Sequence, residues 1–431
     1  MKLKSLHIDS YRHLKNLSFD FTYPEGHPKV GQALEKICII GQSATGKTGI
    51  LELVKENFAK IPDIEIVNSF YIFKYLGLNF KGKIKFQSPK GDIILNETEI
   101  TKYGFNFIEN DSVGGGTITS LLDEEENLKL LFLSSEIISK ETINIFNRNP
   151  VEINNEIFSN KSVNDILMSP IYKNYFYEFV QKPDETIWLS LLYEILDYRK
   201  RFTQMASELI NKGTIGDLSK LNKHYEKWSK ENQNPLTDFA NYFNPLLEKL
   251  NLDVDLINTE YPIPIKSKIK DEVIPISSLS TGTKSLLLSL FPLFTLDTTE
   301  AIILLDEPER SLFPDMQIDL MNHYQRLAPE AQFIVATHSP FIAAAFEPEE
   351  RFILYFDDKG EVAVRRGQSP VGDDPNDMLR NDFNVNYYND FGKQAYKDYV
   401  ELKRKVTQET EPKKKKELTL ALAELGDKYN F

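Results

Sequence analysis

The 431-residue chain has a single cysteine, Cys38, and it lacks long apolar runs. One cysteine cannot form an internal disulfide, and Cys38 stands inside the apolar run ICII, so we expect a core residue in a reducing compartment. No run of about 18 apolar residues exists, which argues against a membrane-spanning helix. The opening MKLKSLHIDSYRHL also lacks the apolar segment of a secretory signal. The expectation is a cytoplasmic protein with no membrane partner.

An excess of positive charge is also absent, because 64 Asp and Glu residues outnumber 51 Lys and Arg residues and give a formal net charge of −13 at pH 7. A general nucleic-acid coat protein needs a broad basic face, so this class is excluded. A local basic groove is still compatible with the composition, and a nucleic acid therefore stays an open alternative as a partner. The apolar fraction of 41% is that of a globular chain long enough for more than one domain.

A glycine-rich stretch, GQSATGKT at residues 41–48, directly follows the apolar run. Its spacing matches G-x-x-x-x-G-K-[ST], in which glycines allow successive backbone N–H groups to point at a phosphate. An amphipathic pattern from about Lys47 to Ala59 predicts a helix whose N-terminal dipole points at the same place. Lys47 is predicted to reach the β- and γ-phosphates of ATP, and Thr48 to ligate Mg²⁺. The predicted phosphate-binding residues are Gly41, Gln42, Ser43, Ala44, Thr45, Gly46, Lys47, Thr48 and Gly49.

Two acidic residues follow a second strand pattern in AIILLDEPERSLFPD, residues 301–315. Asp306 stands at the C-terminal end of this predicted parallel strand, where ligands collect in open α/β sheets. It is predicted to hold Mg²⁺, and Glu307 to act as the general base on the attacking water. The alternative is a pair of solvated acids at the end of a strand.

Two more segments are candidates for phosphate contact. A third strand pattern, AQFIVATHSP at residues 331–340, ends in His338, which is predicted to contact the γ-phosphate. The stretch SSLSTGTKSLLLSLF at residues 277–291 runs from small residues into an apolar helix. It predicts either an anion-binding helix start or a plain N-cap and turn.

Taken in order, these segments resemble ABC-type ATPases of the SMC/RecF/OLD branch. The resemblance identifies residues 279–284 as the signature, Asp306 and Glu307 as Walker B, and residues 311–315 as the D-loop. His338 corresponds to the switch histidine, and Lys47, Glu307 and His338 are the implied catalytic residues. The implied fold class is α/β: an ABC-type P-loop NTPase head with an antiparallel β subdomain, an α-helical lobe with an insertion and a helical C-terminal tail.

The same resemblance implies a head-to-tail pair, and hence a homodimer or higher homo-oligomer. Each ATP would lie between the P-loop of one protomer and the signature of the other, where Ser280 and Gly282 would contact the γ-phosphate in trans. The opening LHIDSYRHLKNLSFDF resembles the first two strands of this branch and implies that Arg12 lies near the nucleotide. Thr283 stands where Glu or Gln is common, and Phe313 where histidine is common.

The glutamine of the Q-loop is not evident in the sequence. The strand pattern LKLLFLSSE at residues 128–136 is expected to deliver it, but it ends in two serines and a glutamate. The candidates for this position are Ser134, Ser135, Glu136 and, elsewhere in the chain, Gln87.

The pattern predicts four regions along the chain. Residues 1–136 form the N-terminal part of the nucleotide-binding lobe, with a β meander from Ser69 to Asn110 and a linker at Gly114–Gly116. Residues 137–270 form the helical lobe and residues 271–367 the rest of the ATPase core. Residues 368–431 form a helical tail, broken near Pro412. The acidic pair at residues 357–358 is predicted to be a hairpin turn and not a nuclease motif.

The function implied by the resemblance is that of Septu-type and related OLD-like ATPases of prokaryotic defence. ATP binding would drive protomer association, hydrolysis would reset it, and a separate nuclease chain would be the effector against phage. One alternative is a RecF-like DNA-repair ATPase, which predicts salt-dependent DNA binding and is disfavoured by the acidic balance. Another is a nucleotide-sensing scaffold with little turnover, which Glu307 argues against.

Overall fold

The computed structural model describes most of the chain and divides it into two compact units, Met1–Gly372 and Asp373–Phe431. The predicted linker Gly114–Gly116 lies outside the described residues, as does part of the predicted helical lobe. The described residues are 1–61, 64–67, 70–73, 78–102, 104–108, 112–113, 128–159, 175–385 and 390–429.

The first unit contains both strands and helices, as expected for an α/β chain. In chain order the strands are β1 (Lys2–Tyr11), β2 (Leu14–Asp20), β3 (Lys36–Gly41), β4 (Ile64–Val67), β5 (Phe70–Phe73), β6 (Lys81–Ser88), β7 (Gly91–Leu95), β8 (Glu99–Lys102), β9 (Phe105–Ile108), β10 (Ser112–Val113), β11 (Lys129–Leu133), β12 (Tyr175–Phe179), β13 (Leu252–Val254), β14 (Ile265–Ser267), β15 (Glu272–Ile274), β16 (Ile302–Asp306), β17 (Gln332–Thr337), β18 (Arg351–Phe356) and β19 (Val362–Arg366).

The helices of this unit are mostly short, apart from one of 27 residues in the helical lobe. In chain order they are α1 (Lys47–Phe58), α2 (Lys140–Asn147), α3 (Pro150–Ser159), α4 (Glu185–Asn211), α5 (Leu218–Glu231), α6 (Pro235–Leu247), α7 (Thr281–Thr295), α8 (Pro314–Ile318), α9 (Leu320–Leu327) and α10 (Pro340–Ala343). Of the described helices, none is long and apolar enough to cross a membrane.

A mainly parallel sheet forms the centre of the first unit. Within the described residues it has seven strands in the order β12, β11, β16, β17, β3, β18, β19, and only β19 is antiparallel to its neighbour. Every residue of β11, β16 and β17 is buried, which explains their continuous apolar sequences. The α/β class predicted from the sequence is confirmed.

The hydrophobic core lies between this sheet, helix α1 and an antiparallel sheet. The antiparallel sheet has the strand order β2, β1, β6, β7, β8, β9 in the part of the chain that the structure describes. Alternate residues of the parallel strands, such as Ile37, Ile39 and Leu304, belong to one buried cluster with Leu6 of β1 and Ile50 of α1. This alternation is the period of two that a strand imposes.

Cys38 lies on β3 between two residues of this cluster and is fully buried. It is a free thiol, and burial raises its pKa above the usual value. The structure therefore confirms the interpretation of Cys38 as a core residue.

The predicted meander divides between two sheets. Strands β6 to β9 form a meander that joins β1, whereas β5 pairs with β4 and β10 in a separate three-stranded sheet of the described chain. The prediction of one meander from residue 69 to 110 was therefore wrong for its first strand, β5. Local alternation predicts a strand but not its partner, because pairing is decided by residues distant in sequence.

The predicted helical lobe contains helices α2 to α6, held by aromatic contacts. Trp188 of α4 makes edge contacts with Phe146 of α2 and Phe179 of β12, and Phe239 of α6 makes one with Phe291 of α7. β12 was not predicted, although it lies inside this region and pairs in parallel with β11. Its sequence, YFYEF, is rich in the aromatic residues that favour strands.

The hairpin predicted at residues 357–358 is confirmed. Strands β18 and β19 pair antiparallel, and the turn between them has Gly360 at a φ of 76°. The Asp357 carboxylate accepts hydrogen bonds from the backbone N–H groups of Lys359 and Glu361, at 2.8 and 2.9 Å. This carboxylate therefore stabilises the turn.

The second unit contains α11 (Pro375–Asn381), α12 (Asp390–Gln408) and α13 (Pro412–Tyr429). Helices α12 and α13 pack on each other across a short connection that ends at Pro412, the first residue of α13. Leu418, Leu422 and Leu425 are half-buried, whereas Leu420 is 58% exposed. Helix α13 therefore turns one apolar side toward α12, as the spacing of Leu418, Leu422 and Leu425 predicts.

Candidate nucleotide-binding site

The loop between β3 and α1 has the backbone geometry of a phosphate-binding loop. Gly46 is the N-cap of α1 with a φ of 91°, and a Cβ there would lie 2.9 Å from a methyl carbon of Leu14. A Cβ on Gly41 would lie 2.4 Å from the carbonyl oxygen of Leu354. Both positions therefore require glycine for steric reasons. Ala44, between them, also has a positive φ of 66°.

Lys47 lies beneath this loop, with its side chain folded back onto it. Its Nζ donates hydrogen bonds to the carbonyl oxygens of Gly41, at 2.9 Å, and Gln42, at 3.2 Å. Burial lowers the pKa of Lys47, and the nearby carboxylates of Glu307 and Asp306 oppose that shift. The loop thus holds a largely desolvated ammonium group at the start of a helix, where an anion is favoured.

Thr48 connects the loop to the end of β16. Its hydroxyl donates to Asp306 Oδ1 at 2.9 Å, and the hydroxyl of Ser135 donates to Asp306 Oδ2 at 3.4 Å. Asp306 is 5% exposed, and burial raises its pKa while the Thr48 hydrogen bond opposes the shift. One carboxylate and two hydroxyl groups therefore meet at the C-terminal edge of the parallel sheet.

Ser135 is one of the four candidates for the Q-loop position. It follows β11, which is the direct neighbour of β16, and this adjacency brings its hydroxyl to Asp306. Gln87 instead lies on β6, paired with Lys2 and Asp92 in the antiparallel sheet. The geometry therefore favours Ser135 over Gln87.

Glu307 and His338 form a pair beside Asp306. The distance from His338 Nε2 to Glu307 Oε1 is 3.6 Å, and both side chains are partly exposed. Burial and the positive charge of Lys47 lower the pKa of His338, whereas Glu307 opposes the shift. Glu307 has a positive φ of 46°, and its N–H donates to the carbonyl of Ala336 on β17. The backbone of β17 therefore fixes the direction of the Glu307 side chain.

A third carboxylate, Glu309, was missed by the sequence patterns. Its Oε1 accepts hydrogen bonds from the hydroxyl of Thr337, at 2.6 Å, and from the N–H of His338, at 2.9 Å. Burial raises the pKa of Glu309. Its position in DEPE, three residues after Asp306, was the available signal, but only the strand register brings it under the histidine.

The residues that the resemblance identifies as the signature lie against those that it identifies as the D-loop. Ser280 is the N-cap of α7, and its hydroxyl accepts from the N–H of Thr283 at 3.1 Å and pairs with the Thr283 hydroxyl at 2.7 Å. A Cβ on Gly282 would lie 2.3 Å from the carbonyl oxygen of Ser311. Thr283 therefore has a local role in capping α7, in place of the Glu or Gln common at this position.

Arg12 lies beside the first turn of α1, where a Cβ on Gly49 would lie 3.6 Å from Arg12 Nη1. It is in the turn between β1 and β2, with a φ of 52°, and its guanidinium pairs with Glu52 at 2.8 Å. That hydrogen bond raises the pKa of Arg12. The neighbouring His13 is closer to the loop, since a Cβ on Gly46 would lie 3.2 Å from His13 Nε2. A nucleotide contact by Arg12 remains a prediction.

The residues around the loop fit a nucleotide phosphate with Mg²⁺. Gly41 has no room for a side chain and Gly46 has a φ of 91° that favours glycine, and a buried ammonium group and a helix N-terminus face the same loop. The described residues contain no group of three or more His, Cys, Asp or Glu that could hold a metal alone. A single carboxylate with hydroxyl groups is instead typical of Mg²⁺ that is shared with substrate phosphates.

Comparison of structures gave distant similarities. The SMC head domain from Thermotoga maritima is 12% identical, with a TM-score of 0.38 over 86% of this chain and 100% of that one. The Smc head domain with an extended coiled coil, bound to the C-terminal domain of ScpA derived from Pyrococcus furiosus, is 13% identical, with a TM-score of 0.39 over 85% of this chain and 96% of that one. Comparison with curated proteins found no match.

A family model gives the assignment. The model described as AAA ATPase domain (AAA_15) matches residues 124–343, just over half of the chain. The matched range contains Ser280, Asp306, Glu307 and His338, and it begins after the loop at residues 41–48. The chain therefore belongs to the AAA ATPase domain family.

Proposed function

We propose that this protein binds ATP with Mg²⁺ and hydrolyses it to ADP and phosphate. The observation that supports this most directly is the 2.9 Å hydrogen bond between Thr48 and Asp306. It joins the residue after the loop lysine to the carboxylate at the end of β16. The loop and the acidic strand end thereby form one site, beside Glu307 and His338.

Each residue has a role that its environment supports. Lys47 would exchange its bonds to the loop carbonyls for bonds to the β- and γ-phosphates. Mg²⁺, held by Thr48 and Asp306 with Ser135 nearby, would neutralise charge on the phosphate oxygens. Glu307 would orient the attacking water and accept its proton as the bond from the γ-phosphorus to ADP breaks. His338, largely neutral at pH 7 because its pKa is lowered, would donate a hydrogen bond to the γ-phosphate.

The proposal includes action as a head-to-tail pair of protomers. The hydroxyl of Ser280 and the first N–H groups of α7 form a helix N-terminus. Such an end favours an anion, here the γ-phosphate of an ATP bound to a second protomer. Phe313, in the D-loop beside this helix start, is 74% exposed. Aromatic side chains are enriched at protein–protein interfaces, so the position of Phe313 is compatible with a partner protomer at this face.

The proposed biological role is control of a separate nuclease chain in defence against phage. Its support is the order of motifs, which is similar to that of Septu-type ATPases, and this is an argument by analogy. The RecF-like alternative predicts DNA binding that weakens with salt. The scaffold alternative predicts ATP binding without sustained phosphate release.

The test of ATP binding is the substitution Lys47→Ala. The loop loses its buried cation, so we expect no measurable binding of ATP and Mg²⁺ by titration calorimetry and no phosphate release. Lys83→Ala, which removes the same charge from an exposed position on β6, is the matched control and should bind ATP like the wild type. Unchanged affinity in Lys47→Ala would overturn the assignment of the loop. Binding without release in the wild type would favour the scaffold.

A further inference from the structure

The short turn that carries His338 is held on two sides by side chains that the proposed chemistry does not use. On one side, Glu309 accepts hydrogen bonds from the Thr337 hydroxyl and the His338 N–H, at 2.6 and 2.9 Å. Within the turn, the N–H of Ser339 donates to the Thr337 hydroxyl oxygen at 2.9 Å. The direction of the histidine therefore depends on a bond network that contains no phosphate-binding group.

On the other side, Gln317 of α8 ties the same turn to the D-loop. The Ser339 hydroxyl donates to Gln317 Oε1 at 2.6 Å, and Gln317 Nε2 donates to the carbonyl of Leu312 at 2.8 Å. The Gln317 amide thus accepts a hydrogen bond from the turn that carries His338 and donates one to the D-loop. A substitution that removes either end leaves a polar group without its partner.

The D-loop is in turn in contact with the signature. Ser311 has a φ of 66°, and its carbonyl oxygen faces Gly282 so closely that a Cβ there would lie 2.3 Å away. A displacement of the start of α7 toward the D-loop would therefore push against the backbone at Ser311. A continuous set of contacts runs from Gly282 through Gln317 to His338.

Glu309 is costly to retain, which indicates a role beyond packing. Its second oxygen, Oε2, is buried and has no hydrogen-bond partner among the described residues. A buried carboxylate with one unpaired oxygen opposes folding. Removal of the side chain would in turn leave the Thr337 hydroxyl and the His338 N–H without an acceptor.

We propose that Glu309 and Gln317 are positioning residues for His338, and that they couple its direction to the D-loop and signature of the same protomer. A partner protomer that displaces the signature would thereby change the histidine at the first protomer's own nucleotide. This inference rests on the proposed ATPase function. It adds the two residues that connect the surface facing the partner with the hydrolytic site.

The main test is Gln317→Leu, which keeps the size of the side chain and removes both hydrogen bonds. We expect kcat for ATP to fall on the order of tenfold, with the affinity for ATP unchanged by calorimetry. Gln204→Leu, the same replacement at an exposed position of α4, is the control and should behave as the wild type. Turnover of Gln317→Leu within about twofold of the wild type would overturn the role of Gln317.

A double-mutant cycle with Thr337→Val tests the coupling. Residues of one network are non-additive, so the double variant should be little slower than the slower single variant. If the loss of kcat in the double variant equals the product of the two single losses, the two residues act independently and the proposal is contradicted. Glu309→Gln, which keeps an acceptor, should retain more activity than Glu309→Leu, and equal loss would contradict the positioning role of Glu309.

A measurement without hydrolysis separates this inference from the proposed function. The chain has six histidines, so the ring resonances of His338 can be assigned in labelled protein by comparison with His338→Asn. We expect these resonances to move in Gln317→Leu, while those of other histidines stay in place. If the wild type releases no phosphate but the resonances move, the ATPase proposal fails and the positioning survives. Resonances that stay in place overturn the positioning itself.

Discussion

The substitution Glu307→Gln tests the catalytic step. The amide keeps the size of the carboxylate and can hydrogen-bond water, but it cannot accept the proton. The local backbone should persist, because the positive φ of residue 307 is held by the hydrogen bond from its N–H to Ala336. Lys47, Thr48 and Asp306 are untouched, so ATP binding should remain.

The expected size of the effect follows from the exposure of the site. Loss of a general base typically costs about 10²–10⁴-fold in rate. The Glu307 side chain is 36% exposed and the His338 side chain 44%, so solvent has access to the attacking position and can accept a proton. We therefore expect a loss of about 10²–10³-fold, or about 2.7–4 kcal/mol of activation free energy.

The assay is steady-state phosphate release, with ATP affinity measured by calorimetry on the same preparation. Glu330→Gln, which removes an exposed carboxylate just before β17, is the control and should keep wild-type turnover. Turnover of Glu307→Gln within about twofold of the wild type would refute the argument and assign the base to another residue. Loss of ATP binding would show that Glu307 contributes to affinity and not to proton transfer alone.

Three further predictions concern assembly, the tail and pH. Ser280→Arg should abolish turnover without weakening ATP binding to one protomer. Mixing this variant with Lys47→Ala should restore activity. If activity does not recover at any ratio although the two variants associate, action in trans is contradicted. Removal of residues 398–431 should leave ATP binding intact and lower the number of protomers per assembly in light scattering. An unchanged number of protomers would make the tail purely structural. Burial raises the pKa of Glu350 from 4.5 to about 7, opposed by Lys36. The folded state binds the proton of the Glu350 carboxyl group more tightly than the unfolded state does. The protonated group therefore adds to the free energy of unfolding; this contribution is complete below pH 4.5 and is lost as pH rises through 7. Glu350→Gln should therefore gain stability relative to the wild type between pH 5 and pH 8, by roughly 3 kcal/mol at most, and equal differences in urea midpoint across this range would contradict that shift.

The strands that carry the candidate site could be predicted because they are buried on both faces. Such strands need apolar residues at every position, so β3, β16 and β17 are visible as continuous runs. Polar residues begin where each run ends. The sequence therefore predicts that three features lie at one edge of the sheet: the loop of residues 41–48 after β3, Asp306 at the end of β16 and His338 after β17. Parallel pairing then brings these ends together without further information.

Contacts that depend on distant pairing could not be predicted. The choice of Ser135 over Gln87 follows from the adjacency of β11 and β16, which no local pattern contains. Glu309 is next to His338 because β17 pairs with β16 in one particular register. If β17 paired with β16 one residue out of register, the side chain of Thr337 would point to the other face of the sheet, away from Glu309.

The order of strands has a consequence for synthesis. Strand β3, which carries the loop, lies between β17 and β18, so both of its neighbours come from the last third of the chain. At about 5–20 residues per second, β17 emerges from the ribosome on the order of 15–60 s after β3. Until then the backbone N–H and C=O groups along both edges of this apolar strand have no native partner and are open to other strands. Because β17 and β18 complete the sheet around the loop, a nascent chain cannot hold ATP until almost all of it has been made, and chains truncated before residue 356 should aggregate rather than bind nucleotide.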